Sequence, residues 1–283
     1  MVLPSVAVIA GVVLLVPLSP LLIYGWGPLP GFGIAGAGYA VVLGSALTLA
    51  VLAWAMWTGR SLARFRPAPL QWRMFADILR VGAVASVNTL QTTLTVAMTT
   101  ALVARAGGPE AVAGYGTGSR LEYLLVPLVF GLGSPLVALV GTNVGAGQHD
   151  RALRIAMLGG AVAFGLTQAV GLAAAAWPPA WLGLFGDDPA MLATGAAYLR
   201  AVGPTYGFFG LGLALYFASQ GAGRRLWPLV SSVVRTLIAV VGGWLALAMT
   251  GSLTWVFVVA VGMVVYGGSL AVLIGSGAWF RGR

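Results

Sequence analysis

Asn88, Gln91, Thr92, Thr95 and Thr99 recur at i, i+3, i+4, i+7 and i+11 of one apolar stretch. At 100° per residue this spacing stacks amides and hydroxyls on one narrow helix face. The stripe carries no charge, so its chemistry is hydrogen bonding. It suits either the wall of a wet cavity or a polar seam between packed helices, and both readings stand. In the next apolar stretch lie Arg120 and Glu122. Being i and i+2, they do not face each other on a helix. Each needs a partner elsewhere, and Arg235 is the candidate for Glu122. Arg120, Glu122 and Arg235 are read as a structural charge set, with Glu122 as an ion-coupling carboxylate the sharper alternative. Tyr206, Phe209, Phe217 and Gln220 share a face of a later stretch, with Tyr216 beside them. An aromatic wall suits flat organic cations through cation–π attraction; core packing is the plainer account.

Other chemistry has little material. The chain has no Cys and a single histidine, His149, next to Asp150. A thiolate site, a histidine metal site and a catalytic triad are therefore not expected, and no paired carboxylates occur inside the apolar stretches. No catalytic residue, metal or cofactor is assigned. Gly31-Phe-Gly33-Ile-Ala-Gly36 matches GxGxxG but opens an apolar stretch with no strand before it, which argues against a dinucleotide site. Gly114-x-x-x-Gly118 permits close helix approach and says nothing about ligands. Gln168 stands alone in its stretch, and Arg200 is placed to snorkel.

The elements that must position these residues are long and apolar. Stretches near Leu3–Tyr24, Gly33–Trp57, Leu79–Val103, Ala111–Val140, Ala152–Trp177, Met191–Ser219, Leu226–Met249 and Thr254–Ile274 each reach the ~20 residues that a membrane-crossing helix needs. The chain is 59% hydrophobic and only 7% charged, where soluble domains carry about 25% charge. In hydrocarbon every backbone amide must be satisfied internally, so these stretches are helices. The fold class is an all-α polytopic membrane protein with about eight transmembrane helices. The first stretch lacks the basic start and small-residue cleavage pattern of a secretory signal.

Charge placement orients the spans. All fifteen cations are Arg and the net charge is +9. Arg60, Arg64, Arg66, Arg73 and Arg80 lie between the second and third spans. Arg151 and Arg154 follow the fourth, Arg224 and Arg225 the sixth, and Arg281 and Arg283 close the chain. These are alternate loops, hence one side, the cytoplasmic one. Both termini are expected there. The opposite loops, around Gly25–Gly31, Arg105 to Glu110, Asp187 and Asp188, and Gly251 with Ser252, hold one Arg. The basic surplus thus reads as topology, aided by anionic lipid; no nucleic-acid partner is expected. The polar segment Thr58 to Asp77 divides two spans from six, giving the division 1–58, 59–78 as a cytoplasmic linker, and 79–283.

The fourth span and its exit read Ala113-Gly-Tyr-Gly-Thr-Gly-Ser-Arg120-Leu-Glu122-Tyr-Leu-Leu-Val-Pro127, then Gly131-Leu-Gly133-Ser-Pro, then Gly141-Thr-Asn143-Val-Gly145-Ala-Gly147-Gln148 and Asp150-Arg151-Ala152. With Leu184-Phe-Gly-Asp187-Asp188-Pro189, Tyr198-Leu199-Arg200 and Gln220-Gly221-Ala-Gly223, this resembles the second-lobe signature of the multidrug and toxic compound extrusion (MATE) transporters. Pro20-Leu-Leu-Ile23, Gly27-Pro-Leu-Pro30 and Gly33-Ile-Ala-Gly36 resemble the end of the family's first lobe. The resemblance implies a twelve-helix, two-lobe exporter driven by Na⁺ or H⁺. On that mapping the chain holds the last two helices of a first lobe plus a complete six-helix second lobe, and is N-terminally incomplete, lacking four helices. Some relatives carry acidic cation ligands on helices matching the third and sixth spans, where this chain has Gln91, Thr92 and Phe209.

What the resemblance implies is an exporter of lipophilic, mostly cationic organic compounds in a bacterial plasma (inner) membrane. The expected partners are a small organic substrate, the coupling H⁺ or Na⁺, lipid, and a missing or separate N-terminal lobe. From the residues themselves, and not from the resemblance, the substrate wall would be Asn88, Gln91, Thr92, Thr95, Tyr206 and Phe209, with Glu122 the ion-coupling candidate. Two alternatives stay open. One is a lipid-linked precursor flippase, for which Arg120, Arg200 and Arg235 would be the head-group cations; the other is a non-transporting remnant.

Overall fold

The computed structural model describes residues 2–26, 29–58, 72–224, 226–251, 256–277 and 279–280. It divides into two compact units, Met1–Phe75 and Ala76–Arg283. In the first, helix α1 (Val2–Tyr24) leads through a two-residue-stranded hairpin, β1 (Gly25–Trp26) against β2 (Leu29–Pro30), into α2 (Ile34–Trp57). α1 tolerates Pro17 and Pro20 in its interior, as membrane helices do. Small residues bring α1 and α2 together. A side chain at Gly36 would run into the backbone of Leu22, and one at Gly11 into Thr48. The 59–71 part of the linker, with Arg60, Arg64 and Arg66, lies outside the described residues.

The second unit opens within α3 (Trp72–Gly145), which is broken at Gly108, where φ is 70° and ψ is −163°. Pro109 follows, and the left-handed φ favours glycine at the break. Residues 72–107 and 109–145 thus form two limbs, and Thr99 on one meets Tyr115 on the other. Then come α4 (His149–Ala176), the short α5 (Pro178–Leu182), α6 (Pro189–Val202), a 3₁₀ turn (Gly203–Thr205) and α7 (Tyr206–Gly221). After these follow α8 (Leu226–Leu237), a π-turn (Ile238–Gly242), α9 (Gly243–Thr250) and α10 (Val256–Gly275).

Seven helical segments among the described residues are long and apolar enough to cross a membrane, and the one over Thr89–Gly145 contains the Gly108 break. Its two limbs account for the third and fourth spans of the sequence reading. Two predicted spans are interrupted. The stretch from Met191 to Ser219 breaks between α6 and α7 at Pro204, which has no N–H to give. The one from Leu226 to Met249 loosens into the π-turn.

Three apolar clusters pack this unit among the described residues. Val103, Leu125, Leu182, Leu199, Val202 and Tyr206 anchor one; Val140, Leu215, Leu270, Ile274 and Trp279 anchor the second; Val129, Leu136, Ala163 and Ala214 form the third. Glycines again set the spacing, since a Cβ at Gly171 would strike the Gly203 carbonyl.

Candidate functional site

Polar side chains converge on a cavity of about 140 Å³ within the second unit. The first limb of α3 contributes Thr92, Thr95 and Thr99, three positions of the predicted stripe. The second limb contributes Tyr115, Ser119, Glu122 and Tyr123, again at helical spacing. Tyr198 of α6, Phe209 of α7, Arg235 of α8 and Met263 of α10 complete the wall. The Gly108 break is what lets both limbs of one long helix face the same space.

Glu122 is the cavity's carboxylate, and it accepts a hydrogen bond from the Tyr198 hydroxyl. The local sequence builds this contact. Gly114 and Gly118 present bare backbone to α6; a Cβ at Gly118 would lie 2.9 Å from the Tyr198 ring, and one at Gly114 would collide with the Met191 carbonyl. The close approach expected of that Gly-x-x-x-Gly pair seats Tyr198 one turn before Glu122, so its hydroxyl reaches the carboxylate. Tyr115 stands edge-on to Tyr198, with ring centroids 5.2 Å apart. Tyr115, Tyr206 and Arg235 all act electrostatically on Glu122 or are acted on by it.

The predicted residues fall as follows. Thr92, Thr95 and Phe209 line the cavity, as do Glu122 and Arg235. Gln91 turns to α8: its amide donates to the Ser232 carbonyl and to Thr236, while the Ser232 hydroxyl donates to its oxygen at 2.9 Å. Thr95 also shares a 2.9 Å bond with Thr236. The stripe is therefore both things the sequence allowed, a seam at Gln91 and a cavity wall at Thr92 and Thr99. Tyr206 is fully buried in the core, and its hydroxyl has no hydrogen-bond partner among the described residues. The side chain of Asn88 lies outside those described. Arg120 is exposed, with its guanidinium 5.3 Å over the Phe185 ring, whereas Arg235 is half-buried and rests 5.3 Å over Tyr266. Arg200 is exposed at the end of α6.

Several contributors were not singled out as site residues by the sequence. Ser232, Thr236, Tyr115 and Ser119 are common residue types whose importance depends on which way each helix is rotated. Gln168, isolated in the sequence, has a definite task. Its Nε2 donates to the Pro204 carbonyl at 3.0 Å and its Oε1 accepts from the Gly207 N–H at 3.1 Å. It thereby satisfies backbone groups freed by the proline break between α6 and α7.

The MatE family model matches residues 83–245, more than half of the chain. The chain belongs to the MATE family. It is similar to the FAD transporter of Shewanella oneidensis, with 28% identity over 243 residues that cover 83% of this chain and 51% of that protein. It is 30% identical over 210 residues to the probable multidrug resistance protein NorM of Geobacillus kaustophilus, covering 72% and 45%. An outward-facing MATE transporter of the MOP superfamily superposes with TM-score 0.85 at 21% identity, over 98% of this chain and 62% of that one. A MOP-superfamily transporter from Pyrococcus furiosus, described as having a binding pocket of reverse polarity, gives 0.84. The chain spans about half the length of the curated relatives it matches. It is a multi-pass membrane protein of a transporter family, and the fold is the MATE fold.

Proposed function

We propose that the protein is a secondary active exporter of lipophilic, mostly cationic organic compounds, driven by H⁺ or Na⁺ through alternating access. One observation carries this reading: Glu122 is the carboxylate of a cavity lined by hydroxyls, aromatic rings, aliphatic side chains and the Arg235 guanidinium, inside a lobe of a transporter family. An acid placed in hydrocarbon is costly and is retained where it does work. Thr92, Thr95 and Phe209 offer a wall that a flat cation would accept, with Asn88, Gln91 and Tyr206 on the same helices. Two ligands that compete for one carboxylate, an organic cation and the coupling ion, exchange across the membrane when the two conformations differ in affinity for them.

In this reading residues 1–58 are the last two spans of a first lobe, 59–78 a cytoplasmic linker and 79–283 the second lobe. Both termini are cytoplasmic and the host membrane is a bacterial plasma membrane; the alternate Arg-bearing loops support that orientation. The flippase alternative rests on Arg235, the cationic side chain of the cavity wall.

The test is flux. Proteoliposomes holding the chain, loaded with a fluorescent organic cation, should extrude it when an inward H⁺ or Na⁺ gradient is imposed. Glu122→Gln should abolish the gradient dependence. Equal flux with and without either gradient would reject the proposal.

A further inference from the structure

Arg235 is a fixed positive charge on the wall of the cavity that holds Glu122. A guanidinium keeps its proton throughout the accessible pH range, so a lobe that carries one mid-membrane must offset it. The chain has six acidic residues. Asp77 lies near the start of α3, Glu110 beside the Gly108 break, Asp150 in the first turn of α4, and Asp187 and Asp188 just ahead of α6. Glu122 is the one placed within a span. It is therefore the natural counter-charge for Arg235, yet the two are engaged elsewhere. Glu122 takes its hydrogen bond from Tyr198, and the guanidinium lies on the Tyr266 ring.

Arg235 is packed on α8 just ahead of an irregular turn. Its stem runs over Gly262 of α10, where an added Cβ would come within 3.4 Å of its Cγ. The π-turn Ile238–Gly242 begins three residues later, and such turns locally loosen helical bonding and recur at functional sites. The titratable and charged groups around the carboxylate are Tyr115 and Tyr123 of α3, Tyr198 of α6, Tyr206 of α7 and Arg235 of α8, with Tyr266 of α10 behind the guanidinium. Five are phenols, so Arg235 is the one cation among these described groups.

Resting on the reading of Glu122 as the coupling carboxylate, we propose that Arg235 is a tethered cation that competes with the transported cation for Glu122. It pairs with the carboxylate when the site is empty, and withdraws to the face of Tyr266 when a proton or an organic cation takes its place. A competitor built into the chain is always present at high effective concentration. It lowers the affinity for every external cation and helps expel the one that is bound.

The experiment is binding of tetraphenylphosphonium to the 283-residue chain in lipid nanodiscs, by titration calorimetry at one pH. Arg235→Gln should bind about tenfold more tightly than the unaltered chain, the size expected for loss of a coupling of ordinary strength, and Arg235→Lys should stay close to it. Glu122→Gln and the double variant E122Q/R235Q should both lose binding. Tyr266→Leu, which removes the resting place, should weaken binding. If the unaltered chain binds and R235Q binds equally or more weakly, the competition is overturned and the Glu122 reading survives. A gain from R235Q that persists in the E122Q background also overturns it, since the competition would not be for that carboxylate. Should R235Q not fold, Y266L decides: unchanged or tighter binding overturns the proposal. No binding by any variant overturns it together with the reading on which it rests.

Discussion

The Tyr198 hydroxyl donates to the Glu122 carboxylate, and the ring that carries it lies against Gly118, one turn ahead of Glu122 on the same helix. Two small residues thus fix the donor of a half-buried acid. The spacing between α6 and the second limb of α3 is set by what Gly114 and Gly118 lack, and polarity at Glu122 follows from that spacing. Energetics and chemistry of the site are therefore linked through backbone approach.

Two glycines of this limb, Gly114 and Gly116, should respond differently to a methyl group. At Gly114 an added Cβ meets the Met191 backbone, which cannot yield as a side chain can; at Gly116 it meets nothing within 4 Å. Gly114→Ala should cost about 1–3 kcal/mol of stability through overpacking. Gly116→Ala should be neutral or gain up to about 1 kcal/mol from helix propensity. Thermal unfolding of the two variants in the same detergent checks the contrast, and equal midpoints would contradict the packing described.

Tyr198→Phe keeps the ring on Gly118 and its edge contact with Tyr115 and removes only the donor. Losing a hydrogen bond to a charged acceptor costs about 1–3 kcal/mol, so its unfolding midpoint should fall. In the background of Glu122→Gln the same change should cost less, because the two groups act as a pair. Strict additivity of the two losses would mean that the bond contributes nothing.

Much of this arrangement was legible because membranes restrict the choices. Hydrocarbon allows helices, Arg-bearing loops alternate with Arg-poor ones, and the segment from Arg105 to Glu110 held the Gly108 turn where a loop was expected. The stripe from Gln91 to Thr99 was also visible, since helical spacing fixes which residues share a face. Spacing cannot say what that face meets. Gln91 turned to Ser232 and Thr236 while Thr92, one residue on, lined the cavity. Tyr206, read as part of an aromatic wall, is buried in the core. Such outcomes depend on the rotation and tilt of each helix, which many residues set together.

Gln168 ties α4 to the break between α6 and α7 through two backbone groups. Gln168→Leu leaves the Pro204 carbonyl and the Gly207 N–H without that partner, at a cost of about 1–3 kcal/mol for each group that stays dry. The amide hydrogen of Gly207 should then exchange faster, while amides in the middle of α4 keep their protection. Hydrogen–deuterium exchange with peptide resolution reads both regions at once. Faster exchange spread evenly over α4 and α7 would point to general unfolding instead.

A wet cavity and a dry helix seam make opposite demands on thiol chemistry, and this chain has no native Cys to interfere. Thr92 lines the cavity and is exposed, whereas Thr99, two turns further along the same face, is only 2% exposed and bonds the Thr95 carbonyl at 2.7 Å. A charged, water-soluble thiosulfonate reacts with thiolates, which form in water and scarcely at all in an apolar interior. Thr92→Cys should therefore be modified readily, and Thr99→Cys about tenfold more slowly or worse, because burial keeps both reagent and water from it. Tetraphenylphosphonium should protect the first strongly and change the second little, because Thr99, though on the same cavity wall, is already closed to the reagent by its burial. Equal rates at the two positions would mean that the face is uniformly wet, and the cavity could not then discriminate a ligand by fit. Failure of both to react would make the stripe a seam along its whole length and remove the substrate wall from this part of the lobe.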